Sequence, residues 1–337
     1  MTPIIAIVGA TGNQGGSVAR SLLQNPSFRV RGITRNASSE ASRALVLLGA
    51  DVVEANGFNQ EDMLRALQGA WGLYVNLNSD DEAWRNPDGP TEFDLGKSIV
   101  DAAVGASVKH LVFSSGPPCT EMTDGKVRMK AMDKWLTAPA VKYKIEQYAR
   151  QPGKFQAVIP INAAWYMENF LSKEAAPVFG GFPHFPDEDG YLTFRVPNWG
   201  GDNKVPFLSI GEDYGDIVQG IFLDPARWNG HVVHGLSDIR GFDEVVADFE
   251  EATGRKARFE PIMPSWEAFD THGIQELEDV KLMFGFTQVT GGRYFAREPT
   301  EAHTAAELKR ATAMALGKPE GQYGLLKIRD FFHSKFA

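Results

Sequence analysis

The chain has 337 residues, 43% of them hydrophobic, enough to bury a substantial core in one large domain or two. Its 34 Lys and Arg residues against 43 Asp and Glu give a formal charge of -9, which argues against direct nucleic-acid binding and leaves protein partners open. A single cysteine, Cys119, excludes an internal disulfide; with no leader, lipidation signal or long apolar span, a cytoplasmic protein without membrane association is expected, or a nuclear one if it is a regulator.

The first predicted elements lie in IIAIVGATGNQGGSVARSLL, residues 4–23. Ile4 to Val8 is a short β-branched run bounded by Pro3 and Gly9, so it reads as a strand buried on both faces. Val18, Leu22 and Leu23 then recur at helical spacing. Between strand and helix, Gly9, Gly12 and Gly15 lie three apart, the pattern that permits a tight turn, close approach of a pyrophosphate and close helix–sheet packing. The unpaired amides and dipole of the helix start favour an anion there. Gly9, Thr11, Gly12, Asn13, Gln14 and Gly15 are therefore candidate dinucleotide ligands. No Lys-Ser or Lys-Thr pair follows, which argues against a nucleoside-triphosphate loop.

A second strand runs from Phe28 to about Thr34 and ends in Arg35 and Asn36. An acidic residue there would hold the ribose hydroxyls of NAD; Arg35 instead suits a 2'-phosphate, so NADP is favoured as cofactor, with NAD as the alternative. Strands through Val53, from about Trp71 to Leu77, and closing on Ser114, Ser115 and Gly116 alternate with helices. That alternation predicts an α/β protein with a Rossmann doubly wound parallel sheet, its ligand at the carboxyl ends of the strands, close to Asn56, Asn78 and Ser115.

Beyond about residue 160 the rhythm changes, with Phe179, Phe182, Phe185, Tyr191, Phe194 and Trp199 scattered among Gly and Pro. Local core packing and a pocket for a flat apolar ligand both account for these aromatics. The expected organisation is a nucleotide-binding domain over 1–160, with later strands within about 205–240 interleaved into it. A smaller C-terminal α+β domain, binding substrate or partner, takes 161–204 and 241–337. His231 and His234, three apart on an expected strand, face opposite sides, so no metal site is predicted.

Together, VGATGNQGGSVARSLL, Arg35, KHLVFSSG, YKIEQYAR and AWYMENFLS resemble the NmrA-like branch of the atypical short-chain dehydrogenases/reductases. The resemblance runs through most of the chain and implies a Rossmann domain beside a small C-terminal domain. It covers both nucleotide-sensing regulators and reductases related to isoflavone reductase. Ordinary members of the wider superfamily use Tyr and Lys four residues apart on the helix after the fifth strand, where the ammonium lowers the pKa of the phenol acid. Lys144 resembles that lysine, and Ala140 stands where the tyrosine would be. The resemblance thus makes Lys144 the candidate catalytic residue, through its charge, and also a cofactor ligand. Tyr323 and Lys327 repeat the spacing by coincidence near the C-terminus. Ser115 matches the serine closing the fifth strand, and Tyr166 and Asn169 match the segment that runs beside the nicotinamide. Asn162 and Ala164 depart from the Arg and Pro common among relatives. Two functions follow: an NADP(H)-dependent enzyme acting on a small apolar or aromatic molecule, or a non-catalytic NAD(P) redox sensor that acts through a regulatory protein partner.

Overall fold

The computed structural model describes residues 2–337 apart from 80, 87, 128–137 and 297. In chain order the first half contains β1 (Ile4–Val8), α1 (Asn13–Leu23), β2 (Arg29–Thr34), α2 (Glu40–Leu47), β3 (Asp51–Glu54), α3 (Gln60–Leu67) and β4 (Ala70–Val75). It continues through α4 (Glu92–Gly105), β5 (His110–Ser115), the short α5 (Cys119–Met122), α6 (Ala138–Ala149) and β6 (Ala157–Ala163). Then come β7 (Trp165–Tyr166), β8 (Leu192–Pro197), β9 (Val205–Leu208), α7 (Gly215–Leu223), β10 (Val233–Gly235) and β11 (Asp238–Arg240). The chain closes with α8 (Phe242–Thr253), β12 (Ala257–Ile262), α9 (Gln275–Val289), α10 (His303–Ala315) and α11 (Ile328–Phe336).

Seven strands form one sheet in the order β10-β6-β5-β4-β1-β2-β3, and every pairing in it is parallel. The chain winds outward from β1 to β3, returns to β4 and winds the other way, so the direction of winding reverses between β1 and β4. This is a Rossmann doubly wound sheet, and a ligand crevice opens where the winding reverses. Alternation along β1 builds both faces: Ile5 and Ile7 pack with Val18 and Leu22 of α1 and Ile217 and Ile221 of α7, whereas Ala6 packs with Met63, Ile99 and Ile145 on the other side. Local signals set the helix starts. Thr91 and Asp94 form a reciprocal cap at α4, and the Asn59 side chain accepts the amides of Glu61 and Asp62 at α3.

Of the segments between 205 and 240, Val233–Gly235 joins the large sheet, while β9 pairs with β7 on one side and β11 on the other in a second sheet. His234 lies in β10 and His231 precedes it, so the two do not share a strand. A two-stranded parallel pair, β8 with β12, completes the mixed C-terminal layer. Its core is aromatic: Trp165 lies 5.7 Å from Phe242, 5.9 Å from Phe284 and 6.0 Å from Phe207, centroid to centroid. Phe182, Phe194 and Trp199 are buried in this cluster, and Phe185 is exposed. Of the two explanations for the aromatic-rich stretch, core packing is the one the structure bears out for these three residues.

Buried charges tie the C-terminal segments to the sheet. Lys309 of α10 pairs with the fully buried Asp213, whose other oxygen accepts the Leu326 amide at 3.0 Å. Asp238 accepts Lys327 Nζ and the Ile328 amide, each at 3.1 Å. Lys327 is thereby engaged structurally, away from the crevice, which accords with the coincidental Tyr323 to Lys327 spacing.

Candidate functional site

The crevice is a cavity of about 1190 Å³ that runs from the glycine turn across the ends of β1, β2, β3 and β4 to α6 and α9. Three glycines of the turn do three different things. Gly9 takes φ +79, and a Cβ there would lie 2.7 Å from the Asn76 carbonyl oxygen, so chirality and space both require glycine. A Cβ on Gly15 would lie 2.1 Å from the Gly9 oxygen, so this position sets the close approach of α1 to the turn. Gly12 is an ordinary extended residue, φ -86 and ψ 175, whose added Cβ would meet only the Gly9 oxygen at 3.5 Å. Its missing side chain leaves room on the cavity side, and the backbone there is not strained.

Gly12 is the N-cap of α1 and supplies no side-chain acceptor, and no acidic residue occupies the first turn. The amides of Asn13, Gln14 and Gly15 are therefore the unpaired donors of the helix start, beside a cradle that a side chain would fill. Thr11, Gly12 and Asn13 are exposed along the cavity. The residues present thus fit a dinucleotide pyrophosphate.

At the β2 and β3 side the cavity is bordered by Thr34, Arg35, Asn36, Asn56 and Phe58. Arg35 is 72% exposed and its guanidinium lies 2.7 Å from a carboxylate oxygen of Asp81, which also lines the cavity. Asn56 turns its side-chain oxygen to the Phe58 amide at 3.1 Å, and the Asn78 carbonyl accepts the Trp84 indole N–H at 2.9 Å. These bonds set Phe58 and Trp84 edge to face, 6.1 Å apart, as an aromatic border for a flat base. Asn56 and Asn78 line the crevice, with those groups already engaged.

The opposite end is bordered by Asn76, Pro117, Cys119, Lys142, Tyr166 and Tyr294, with Val280, Met283 and Phe286 of α9 as an apolar wall. Lys142 Nζ lies 3.5 Å from Asn76 Oδ1. Lys144 is exposed and does not border the cavity, so the lysine that α6 brings to the crevice is Lys142. Val141, Ile145 and Ala149 make the buried stripe of α6, which leaves the two lysines on opposite flanks; only the lie of the helix over the sheet decides between them. The Ala140 side chain lies outside the described residues. Ser115 is buried and donates to Glu146 Oε2 at 2.7 Å, with Arg150 on the other Glu146 oxygen, so it serves the β5–α6 contact and does not border the cavity.

Gln14 is buried and turned inward. Its Oε1 accepts the hydroxyls of Tyr74 at 2.8 Å and Tyr214 at 2.9 Å, and its Nε2 donates to the Tyr166 hydroxyl at 2.5 Å. Its side chain thus links the glycine turn to the C-terminal layer, whereas its backbone remains with the phosphate cradle. Burial raises the pKa of Tyr166; the Gln14 bond opposes that rise and Glu168 reinforces it. Burial likewise pushes the Cys119 thiol up to about 12, so it is a neutral wall residue at ordinary pH. Asn169 borders a smaller recess of about 540 Å³ on the far side of the turn, with Arg20, Glu168 and Gly211. Asn162 donates to the Phe295 carbonyl at 3.3 Å inside the core. Among the described residues no cluster of three or more His, Cys, Asp or Glu could hold a metal ion, and no helix is long and apolar enough to cross a membrane.

Asp81, Lys142, Tyr294 and the α9 wall, with Phe58, Asn76, Trp84 and Pro117, are among the cavity residues that the sequence pattern does not single out. Asp81 sits in a loop 46 residues from its partner, and α9 reaches the site from more than 100 residues beyond the fifth strand. A usable signal existed at α6 alone, where YKIEQYAR follows a second lysine two residues before Lys144.

An oxidoreductase of Cladobotryum sp, FrzB, described as NmrA-like family domain-containing, is 70% identical over 340 residues, covering 100% of this chain and 99% of the relative. The solved structure of Nmra, a negative transcriptional regulator, superposes with a TM-score of 0.71 at 19% identity, covering 100% of this chain and 96% of that one. An NADPH-dependent quinone oxidoreductase from Escherichia coli, complexed with NADPH, superposes at 0.65 with 18% identity over 99% and 100% of the two chains. At those identities the two structures speak for the fold. The NmrA-like family pattern matches residues 1–316, and together with the glycine turn, the parallel sheet and the FrzB likeness it shows that this chain belongs to the NmrA-like family.

Proposed function

We propose that this protein is an NADP(H)-dependent reductase acting on a small apolar molecule that carries an aromatic group. The observation that carries the proposal is the continuity of one cavity from the phosphate cradle to the apolar wall of α9. Its volume of about 1190 Å³ exceeds the roughly 300–1,000 Å³ of an ordinary single-ligand site, which leaves room for a second molecule beside the dinucleotide. A sensor that recognises only a nucleotide needs no such space. The oxidoreductase description of the 70% identical relative supports the same choice.

Gly12 and the first-turn amides of α1 would hold the pyrophosphate, Arg35 the 2'-phosphate, and Phe58 with Trp84 the base. The bound cofactor would supply hydride. Lys142, beside Asn76, would place a positive charge at the nicotinamide end, the role the family resemblance assigned to Lys144. Val280, Met283 and Phe286 would exclude water and hold the substrate's apolar body. Asp81 balances Arg35 when no phosphate is present; on binding, the guanidinium exchanges a carboxylate for a phosphate, so NADP is preferred by a margin that the competition reduces.

Calorimetry with NADPH and NADH on wild type, Arg35→Ala and Asp81→Asn tests the cofactor assignment. NADPH should bind more tightly to wild type, Arg35→Ala should lose that preference, and Asp81→Asn should raise it. Equal wild-type affinities would overturn the assignment. Cofactor oxidation with a panel of aromatic aldehydes and ketones tests the enzyme reading, and the absence of turnover together with a protein partner that discriminates NADP from NADPH would replace it with the sensor.

A further inference from the structure

We infer that Tyr166 is the hydrogen-bond and proton donor to the substrate, and that Gln14 is the residue that positions it. The inference rests on the reductase reading above and fills the place left by Ala140.

Tyr74 and Tyr214 are buried with their hydroxyls 2.9 Å apart, so one phenol proton can lie between them and the other needs another acceptor. Gln14 Oε1 accepts from both hydroxyls, at 2.8 and 2.9 Å, while the Ser114 side chain, also beside both phenols, lowers their pKa values as a donor does and so takes neither proton. With its oxygen so committed, the Gln14 amide presents Nε2 to Tyr166 and donates at 2.5 Å. Tyr166 is therefore an acceptor toward Gln14 and cannot return its own proton along that bond. Its hydroxyl hydrogen is left for a ligand in the cavity that its ring borders, together with Lys142 and the α9 wall. The strand pairing of Trp165 with Phe207 and of Tyr166 with Leu208 fixes the backbone beneath the ring. Burial, which raises the phenol's pKa, keeps it protonated at neutral pH, as a donor must be.

The step balances for a substrate carbonyl. Its carbon takes the hydride of NADPH, the π pair moves to its oxygen, the Tyr166 O–H bond breaks and a new O–H bond forms on the substrate. Alcohol and NADP+ leave, and water returns a proton to the phenolate. Gln14 touches none of the reacting atoms and acts through Tyr166 alone.

The test uses the full chain with NADP+ and acetophenone labelled with carbon-13 at the carbonyl, followed by turnover of acetophenone with NADPH. A carbonyl that accepts a hydrogen bond is deshielded, so its bound resonance should lie downfield in wild type and return toward the free value in Tyr166→Phe. In turnover, Tyr166→Phe should lower kcat about 100-fold or more while KM stays within about threefold. Gln14→Met keeps the phenol but removes its orientation, and should lose part of both effects with NADPH affinity and melting temperature checked in parallel. Turnover and a shifted carbonyl that survive Tyr166→Phe would overturn the inference and leave the reductase reading standing. The same result is expected if the Gln14 amide is turned, because Oε1 would then take the Tyr166 proton. Loss on Tyr294→Phe alone would move the donor to that phenol and equally overturn it. Failure of wild type to bind or reduce acetophenone would count against the substrate class and this inference together.

Discussion

Replacing Gly12 by valine should separate folding from cofactor binding. An added Cβ meets only the Gly9 oxygen, at 3.5 Å, and the backbone at φ -86 and ψ 175 lies where β-branched residues are comfortable. The folded protein should thus tolerate Gly12→Val with a stability change below about 1 kcal/mol, the size of an unremarkable surface substitution. The valine methyls, however, stand in the cradle in front of the α1 amides. Losing two amide bonds to a charged phosphate, at about 1.5–3 kcal/mol each, removes about 3–6 kcal/mol, or roughly a hundredfold to ten-thousandfold in affinity. Gly9→Ala and Gly15→Ala should behave oppositely. The first forces a left-handed backbone at about 1–2 kcal/mol and a contact of 2.7 Å, the second a contact of 2.1 Å, so both should melt early. Thermal melting and NADPH calorimetry on the three variants decide the matter. A folded Gly12→Val protein that binds NADPH like wild type would refute the assignment of the cradle.

Three further outcomes are expected. Lys142→Met should weaken NADPH binding or slow turnover, whereas Lys144→Met should change neither by more than about twofold, because only the first borders the cavity; equal effects, read by calorimetry and cofactor oxidation, would contradict that placement. Lys309→Met should lower unfolding free energy by about 3–5 kcal/mol in chemical denaturation, since it leaves the fully buried Asp213 without its cation, whereas Arg329→Met, which breaks an exposed pair, should cost less than about 1 kcal/mol. Cys119 should resist iodoacetamide at pH 8 in the folded protein. Its thiol keeps its proton to about 12 against an ordinary value of 9.0, so the folded state binds that proton more tightly, and this contribution to stability, full below about pH 9, is lost as pH rises toward 12. Rapid alkylation of native protein at pH 8 would show the thiol to be accessible and ionised.

The amino-acid sequence by itself determines the parts of this protein whose physics is local. Strand, glycine turn and helix occupy residues 4–23, so the apolar run, the conformational demand at Gly9 and the helical period can all be read within one short window. The alternation of strands and helices likewise determines a parallel sheet, and with it the edge at which a ligand lies. Arg35 is legible for the same reason, as the residue that directly follows β2.

Tertiary structure decides where a side chain has more than one partner within reach. By sequence Gln14 reads as a turn residue facing phosphate; three tyrosines from β4, β7 and the segment before α7 draw its amide inward. Ser115, at the expected strand end, is taken by Glu146 of α6. Lys142 and Lys144 flank the same buried stripe, and the packing of α6 over the sheet brings the first to the crevice. Asp81 on Arg35 and α9 on the substrate end arrive from distant segments with no local pattern to announce them. A turn obeys the dihedral limits of its own few residues, but the direction of a polar side chain depends on which donors and acceptors the fold has brought beside it.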